Sequence, residues 1–188
     1  MDEIILASES PRRKEMFDKL GIKYSVCASN VDEKISPEMT PAEAALFLAV
    51  KKAKEVYDRN KASVVVGCDT VVGINGLALM KPRDEREAFQ MLKLLSGKTH
   101  TVYTGVAIIG RGINRGFCES TQVSIMKLSD ETIRRYIKTE NVLDKAGAYA
   151  IQGKMGLYIE RIDGDYNNVV GMPVAAVIKE LSKIGYNL

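Results

Sequence analysis

IILASESPRR, residues 4–13, sets a short apolar strand directly before a helix. Ile4–Ala7 is an unbroken apolar run, which predicts a buried strand. Ser10 is a residue type that caps helices, and Pro11 suits the first helical position, where its missing N–H would have no partner in any case. The predicted helix ends at Gly21, because glycine readily adopts the left-handed conformation that follows many helices. A strand that runs straight into a helix is typical of α/β proteins.

Alternating strands and helices continue through the rest of the chain. Apolar runs predict strands at 24–28, 64–69, 71–74, 77–80, 101–109 and 117–127. Cap residues and apolar stripes predict helices at 40–57, 84–97, 129–138 and 173–185, and Thr40-Pro41-Ala42-Glu43 predicts a capping box at the start of the first of these. Asn75-Gly76 predicts a tight hairpin turn, and the glycine-rich segment 110–116 predicts a longer one. Hairpins mixed with crossover connections predict an α/β fold with a mixed twisted sheet and flanking helices.

Length and charge restrict the classes of protein to which the chain can belong. With 188 residues and neither a linker nor a repeat, a single domain over 1–188 is expected. Apolar residues make up 46% of the chain and charged residues 27%, as in ordinary soluble domains. The formal net charge is only +3, too small to imply bulk binding to nucleic acid or to a membrane. We therefore expect neither as a partner.

Cysteine usage and the first residues predict the compartment. Cys27, Cys68 and Cys118 are an odd number of cysteines without metal-ligand spacing, which argues against a disulfide framework or a zinc site. The segment 1–13 lacks the basic-then-apolar order of a signal peptide, and the apolar run 44–50 is far too short to span a membrane. These features predict a cytoplasmic protein.

Hydroxyl and guanidinium groups gather where the first strand meets the first helix. Ser8, Arg12 and Arg13 lie at a helix start, whose unpaired N–H groups and partial positive charge favour a phosphate. Arginine adds paired hydrogen bonds to phosphate oxygens. The alternative is a capped surface helix with solvated basic residues, and this motif by itself does not decide between the two.

Asp69 follows three buried valines directly. An ionised carboxylate in such a place needs a cation, a metal ion or hydrogen bonds. Lys81 follows the predicted hairpin and is expected either to return near Asp69 as its counter-ion or to be an exposed turn lysine. A carboxylate that merely caps the end of a strand is the other interpretation of Asp69.

Two later segments and one histidine complete the set of candidates. In DKAGAYAIQG, residues 144–153, small residues allow a ligand to approach closely, and Gln152 offers both a donor and an acceptor to a base edge. The alternative for Gln152 is a buried amide that hydrogen-bonds the backbone. The glycine-bounded loop 164–173 is interpreted as simple turn chemistry. His100 is the only histidine and has no nucleophile-elbow pattern near it, which favours a structural hydrogen bond over catalysis.

Six strings in this chain resemble the Maf family of nucleoside triphosphate pyrophosphatases. They are LASESPRRKEMFDKLGI at 6–22, GCDTVV at 67–72, KP at 81–82, GKTHTVYTGV at 97–106, DKAGAYAIQG at 144–153 and GDYNNVVGMP at 164–173. The resemblance implies an elongated, two-lobed α/β domain with a central cleft, similar to inosine-triphosphate pyrophosphatases. It also implies a divalent cation, Mg²⁺ or Mn²⁺, and a homodimer.

The resemblance further implies roles for individual residues. Asp69 falls on the family's general base. Positions linked to substrate choice or binding are Ser8, Arg12, Arg13, Thr70 and Gln152, and the remaining catalytic cleft residues are Glu33, Lys52 and Lys81. By hypothesis, Glu33 and Asp69 hold the metal while the triphosphate lies between the Ser8–Arg13 junction and the two lysines.

The A-Y-x-I-Q-G form of the segment 144–153 resembles the family branch that acts on dTTP and UTP. This chain departs from the common pattern at Cys68, Met80 and Ala150, none of which is a proposed catalytic group. Two alternatives stay open: a regulator of cell division and septum formation that binds nucleotides without hydrolysing them, and a house-cleaning enzyme for modified pyrimidine nucleotides.

Overall fold

The computed structural model describes residues 3–61 and 63–186. Its strands are β1 Ile4–Leu6, β2 Tyr24–Val26, β3 Val64–Ile74, β4 Leu77–Leu79, β5 Thr99–Gly110, β6 Ile113–Ile125 and β7 Ile159–Asp163. Its α-helices are α1 Pro11–Lys19, α2 Pro41–Arg59, α3 Glu85–Leu95, α4 Asp130–Thr139, α5 Tyr166–Val170 and α6 Val174–Ser182. In the described ranges no helix combines the length and apolar character that crossing a membrane requires.

The strands form one mixed sheet in the order β2-β1-β3-β5-β6-β7, with β4 paired to β3 outside this path. β1 pairs in parallel with β2 and β3, and the remaining pairs are antiparallel. Parallel neighbours require crossover helices, whereas β5 and β6 are joined by a hairpin. The predicted α/β class with a mixed sheet is therefore confirmed.

A gap in the pairing of β3 creates the cleft. β5 pairs with one side of β3 from Val65 to Gly73. On the other side β1 pairs with Val64–Val66 and β4 pairs with Val72–Ile74. In the part of the chain that the structure describes, residues 67–71 therefore have no strand neighbour on that side. Asp69 lies at the centre of this gap.

The prediction that a strand ends near Asp69 is wrong, since β3 runs through it as an eleven-residue strand. Its unbroken pairing with β5 supplies the hydrogen bonds that keep it extended. The predicted seven-residue turn at 110–116 is also wrong, because the pairing continues to Gly110↔Ile113 and leaves only Arg111-Gly112 as the turn. β7 and α5 had no clear sequence signal.

The cap at the start of α2 forms as the sequence predicts, whereas the cap at the start of α1 does not. Thr40 and Glu43 form the predicted capping box at the start of α2. Ser10 occupies the cap position of α1, but its side chain makes no capping hydrogen bond. Its own N–H instead donates to Ser8 Oγ over 3.3 Å. The first-turn N–H groups of α1 are thus left without a side-chain cap.

Helix α2 lies directly on the sheet because two glycines leave room for it. A Cβ at Gly105 of β5 would lie 2.3 Å from the Ala45 carbonyl oxygen, and one at Gly67 of β3 would lie 2.6 Å from that of Ala49. Any side chain at these positions would force the helix away from the sheet. The close approach brings Lys52 of α2 to the pairing gap of β3.

Two apolar clusters divide the long strands between them. One packs α3 and α4 on the later part of β3, around Val72 and Leu92. The other packs α1 and α6 on its earlier part, around Val66 and Phe17. Asp69 lies on β3 between the residues of these two clusters, and the two-lobed outline implied by the family resemblance stays a prediction. Cys68 is fully buried in the second cluster, where desolvation raises the pKa of its thiol to about 11.

Candidate active site

A cavity of about 450 Å³ opens at the gap in β3, and residues of both apolar clusters line it. All nine residues singled out from the sequence line it: Ser8, Arg12, Arg13, Glu33, Lys52, Asp69, Thr70, Lys81 and Gln152. They come from α1, α2, β3 and four loops, so only the tertiary fold brings them together. Their individual roles remain predictions.

Lys52 is a buried cation held between two carboxylates. Its Nζ donates to Asp69 Oδ1 and lies 2.7 Å from Glu33 Oε1. Lys52 is 7% exposed and Asp69 is 5% exposed, so each charge depends on the other for compensation. Asp69 Oδ2 makes no hydrogen bond to protein within the described ranges, and this leaves one carboxylate oxygen available to a ligand or water in the cavity.

Glu33 links this buried pair to the cavity mouth. Its Oε2 lies 3.0 Å from Nζ of Lys81, whose side chain is half exposed. Partial burial raises the pKa of Glu33, but the ammonium groups of Lys52 and Lys81 outweigh burial and hold the pKa below its usual value. The expectation that Lys81 serves as counter-ion to Asp69 is wrong, because Lys52 takes that place and Lys81 pairs with Glu33.

Arg13 is held entirely by neutral acceptors. Its Nε donates to the Gly171 carbonyl over 2.8 Å, Nη1 to Ser8 Oγ over 3.2 Å and Nη2 to Thr70 Oγ1 over 3.1 Å. No described carboxylate lies within ion-pair distance of it, whereas every other described cation lining the cavity has such a partner. Its positive charge is therefore the one left uncompensated in the described part of the cavity.

Arg12 belongs to a separate charged group in the same cavity. Its Nη1 lies 3.6 Å from Asp144 Oδ2, and Asp144 Oδ1 lies 2.6 Å from Nζ of Lys145. The Lys145 side chain is only 11% exposed. Sequence reasoning missed Asp144 and Lys145 as cavity residues. The sequence signal for them was an adjacent acid and base at the start of a segment of small residues.

Gln152 is exposed to the cavity, and its amide makes no hydrogen bond to any residue in the described ranges. The alternative of a buried amide bonded to the backbone is therefore wrong. Tyr149 contributes a neighbouring wall and is itself fixed by His100, whose Nε2 lies 2.7 Å from the tyrosine hydroxyl. The expected structural hydrogen bond of His100 is confirmed.

A family model described as Maf-like protein matches residues 3–184. The chain belongs to the Maf family. Among its relatives, a dTTP/UTP pyrophosphatase of Bacillus pumilus (strain SAFR-032) is 46% identical, the alignment covering 98% of each chain. A protein of the same description from Caldicellulosiruptor saccharolyticus is 48% identical over 100% of this chain and 98% of its own.

Solved structures include more distant likenesses to this Maf protein. The Ham1 protein of Staphylococcus aureus is 16% identical, with a TM-score of 0.45 over 65% of this chain and 71% of its own. A HAM1 protein from Coxiella burnetii is 18% identical, with a TM-score of 0.46 over 66% and 73% of the two chains. Likenesses at this TM-score carry no argument about activity.

The carboxylates of this Maf protein fit a divalent cation in one way. No group of three or more His, Cys, Asp and Glu side chains in residues 3–61 and 63–186 is placed to hold a metal ion. Mg²⁺, however, is commonly bound by one or two carboxylates together with substrate phosphates. Asp69 and Glu33 line one cavity, and an oxygen of each lies beside the same Lys52 Nζ. The two carboxylates are therefore close enough together to suit that arrangement.

We expect His100 to make stability depend on pH. Burial lowers the pKa of His100 to about 4, against 6.5 in a solvated chain. The unfolded chain therefore binds a proton between these values that the folded protein does not, and stability falls as pH drops from 6.5 towards 4. The full loss is on the order of 3 kcal/mol.

Urea unfolding of the wild type and of His100→Gln at pH 7 and pH 5 measures this effect. Because His100 is the only histidine, the variant should lose much less stability between the two pH values. Equal losses in the two proteins would show that His100 does not titrate in this way.

Proposed function

We propose that this Maf protein hydrolyses dTTP and UTP to the nucleoside monophosphate and pyrophosphate. The relatives that match over the whole chain bear that name. The observation that carries the proposal is the cavity itself, in which the uncompensated guanidinium of Arg13 faces the same space as Asp69 and Glu33. A free cation suits the polyanionic triphosphate, and a free carboxylate oxygen suits the activation of water.

In this proposal the triphosphate is held by two kinds of cation, those that already have a carboxylate partner and one that has none. Arg13 is the anchor, because it has no carboxylate partner that a phosphate group would have to displace. Lys81 is half exposed and already paired with Glu33, so it adds charge at the cavity mouth. The uncapped first turn of α1 adds N–H groups with a partial positive charge.

Asp69 is the group that acts on water. Its Oδ1 is fixed by Lys52, and its Oδ2 accepts a proton from a water molecule that attacks the α-phosphorus. The new bond joins this water oxygen to the α-phosphorus, and the bond from the α-phosphorus to the bridging oxygen breaks. Pyrophosphate leaves with that electron pair. A divalent cation bound by Asp69 and Glu33 would neutralise phosphate charge and favour ionisation of the water.

Gln152 is the proposed reader of the base. Thymine and uracil both present a carbonyl oxygen beside an N3–H, and one amide can donate to the first and accept from the second. Cytosine presents the opposite arrangement there. A mismatched polar pair in a desolvated pocket costs about 1–3 kcal/mol, which corresponds to roughly a tenfold to hundredfold preference.

A nucleotide panel tests the proposal. Release of pyrophosphate is measured with dTTP, UTP, CTP and GTP, each with Mg²⁺ or with EDTA. We expect dTTP and UTP to exceed CTP in kcat/KM by about tenfold or more, and EDTA to abolish turnover. Gln152→Leu should remove the preference while keeping turnover. Equal kcat/KM for all four nucleotides would refute the assignment of Gln152.

The same panel, extended to modified pyrimidine nucleoside triphosphates and to a measurement of dTTP binding, separates the proposal from its alternatives. A regulator that binds nucleotide without hydrolysis would bind dTTP and release no pyrophosphate. A house-cleaning enzyme would prefer modified uridine or thymidine triphosphates to dTTP by the same chemistry. The homodimer and the cytoplasmic location stay predictions of the sequence.

A further inference from the structure

Beneath Arg13 lies a buried polar network that the proposed mechanism does not use. Arg13 has three acceptors, and two of them lie on separate segments of the chain. Thr70 Oγ1 is on β3, and the Gly171 carbonyl directly follows α5. Each must be fixed if the guanidinium is to keep one orientation. The network that fixes them contains Thr104 on β5 and Asn168 on α5, both fully buried.

Hydrogen-bond directions in this network run away from Arg13. Thr104 Oγ1 donates its single proton to the Asn168 carbonyl over 3.0 Å. It can then only accept from Thr70 Oγ1, which lies 3.0 Å away. The only other acceptor for the Thr70 proton in the described ranges is the Gly171 carbonyl, at 3.5 Å, so the shorter contact with Thr104 is the preferred one. The lone pairs of Thr70 are then left for Nη2 of Arg13. Thr104 therefore sets the orientation of the hydroxyl that accepts from the guanidinium.

Asn168 fixes the second acceptor. Its Nδ2 donates to the Val102 carbonyl over 3.1 Å and to Thr121 Oγ1 over 3.0 Å. A carbonyl only accepts, so this contact settles which end of the amide is the nitrogen. The Asn168 main-chain carbonyl also accepts from the N–H of Gly171 over 3.1 Å. Asn168 thus ties the peptide that presents the Gly171 carbonyl to strands β5 and β6.

Such a network is costly in the middle of a fold. Thr104 and Asn168 are both 0% exposed, and Oδ1 of Asn168 is buried without any partner in the described ranges. An unpaired buried acceptor destabilises a protein, and apolar residues of similar size would avoid this loss. This loss of stability is understandable if the network serves the cavity rather than the stability of the fold.

We propose that Thr104 and Asn168 are positioning residues that hold the guanidinium of Arg13 in the orientation that binds the triphosphate. The inference rests on the proposed function, because it presumes that Arg13 is the phosphate anchor. Neither residue lines the cavity, so both act through Thr70 and Gly171. Two of the strings that carry the family resemblance, 97–106 and 164–173, thereby acquire a physical role.

The first test is Thr104→Val, which keeps the shape of the side chain and removes its hydroxyl. We expect KM for dTTP to rise about tenfold with kcat changed less than about threefold. Thr104→Ser should restore KM, and Thr104→Ala is a second variant without the hydroxyl. Thr99→Val is the matched control on the same strand, where Thr99 Oγ1 pairs only with Ser124 Oγ, and it should leave both constants unchanged. Unchanged KM in Thr104→Val and Thr104→Ala would overturn the proposal.

The second test asks whether the effect passes through Arg13. Binding of inorganic tripolyphosphate is measured by titration calorimetry for the wild type, Thr104→Val, Arg13→Ala and the double variant. We expect Thr104→Val to weaken binding in the wild type and to have no further effect once Arg13 is removed. Equal losses in both backgrounds would show a merely structural role and overturn the proposal, as would a wild type that does not bind tripolyphosphate.

Tripolyphosphate binding requires no hydrolysis, so the two proposals fail separately. A wild type that binds tripolyphosphate with this coupling but releases no pyrophosphate from dTTP would refute the proposed function alone. A wild type that hydrolyses dTTP while Thr104→Val is neutral would refute the positioning role alone.

Discussion

We expect Asp69→Asn to lower kcat for dTTP hydrolysis by about a thousandfold, the scale expected for loss of a general base. The asparagine keeps the shape of the side chain, and its carbonyl oxygen still accepts from Lys52. It has neither the charge to bind a cation nor the basicity to take a proton from water. Lys52 keeps Glu33 as a carboxylate partner at 2.7 Å, so the fold should persist.

Steady-state pyrophosphate release gives kcat, and thermal unfolding followed by circular dichroism reports on the fold. Asp32→Asn is the matched control, because Asp32 is exposed and pairs with Lys34 rather than lining the cavity. It should keep wild-type turnover. A kcat for Asp69→Asn within tenfold of the wild type would remove Asp69 from the proposed chemistry.

Lys52→Met has the largest expected effect on stability, a loss of about 3 kcal/mol in the free energy of unfolding. Asp69 is 5% exposed, and loss of Lys52 leaves its carboxylate buried without a counter-ion. Combining Lys52→Met with Asp69→Asn removes both charges and should recover more than about half of the loss.

Urea unfolding at pH 7 measures these changes. Lys51→Met is the neighbouring control on the same helix, since Lys51 Nζ bonds the Asp32 carbonyl and lies over the Phe47 ring at the surface. It should change stability by less than about 0.5 kcal/mol. Similar losses at Lys51 and Lys52, or no recovery in the double variant, would show that the buried pair does not act as a coupled unit.

Elements with local signals were predictable from the sequence. The capping box of Thr40 and Glu43 begins α2, and Asn75-Gly76 forms the turn between β3 and β4, both as expected. These features depend on residues within one turn of each other. By contrast, the continuity of β3 through Asp69 depends on β5, more than thirty residues further along the chain.

The candidate site shows the same division. The residues were found in the sequence through their chemistry and the family resemblance, but the pairing among them was not. One of the two interpretations of Lys81 placed it beside Asp69, but it pairs with Glu33, because α2 brings Lys52 to the buried carboxylate. The network under Arg13 had no sequence signal, since it joins segments far apart in the chain, and the same holds for the pairing of Arg12 with Asp144.

Sequence by itself determined the family, the order of most helices and strands, and the set of cations and carboxylates. Tertiary structure alone decided which cation meets which carboxylate and which one is left free. The contact between Arg13 and Gly171 joins residues 158 positions apart. Such contacts depend on the gap that β1 and β4 leave beside β3 and on the close packing of α2 against Gly67 and Gly105. Packing of this kind joins distant segments and has no local signature in the chain.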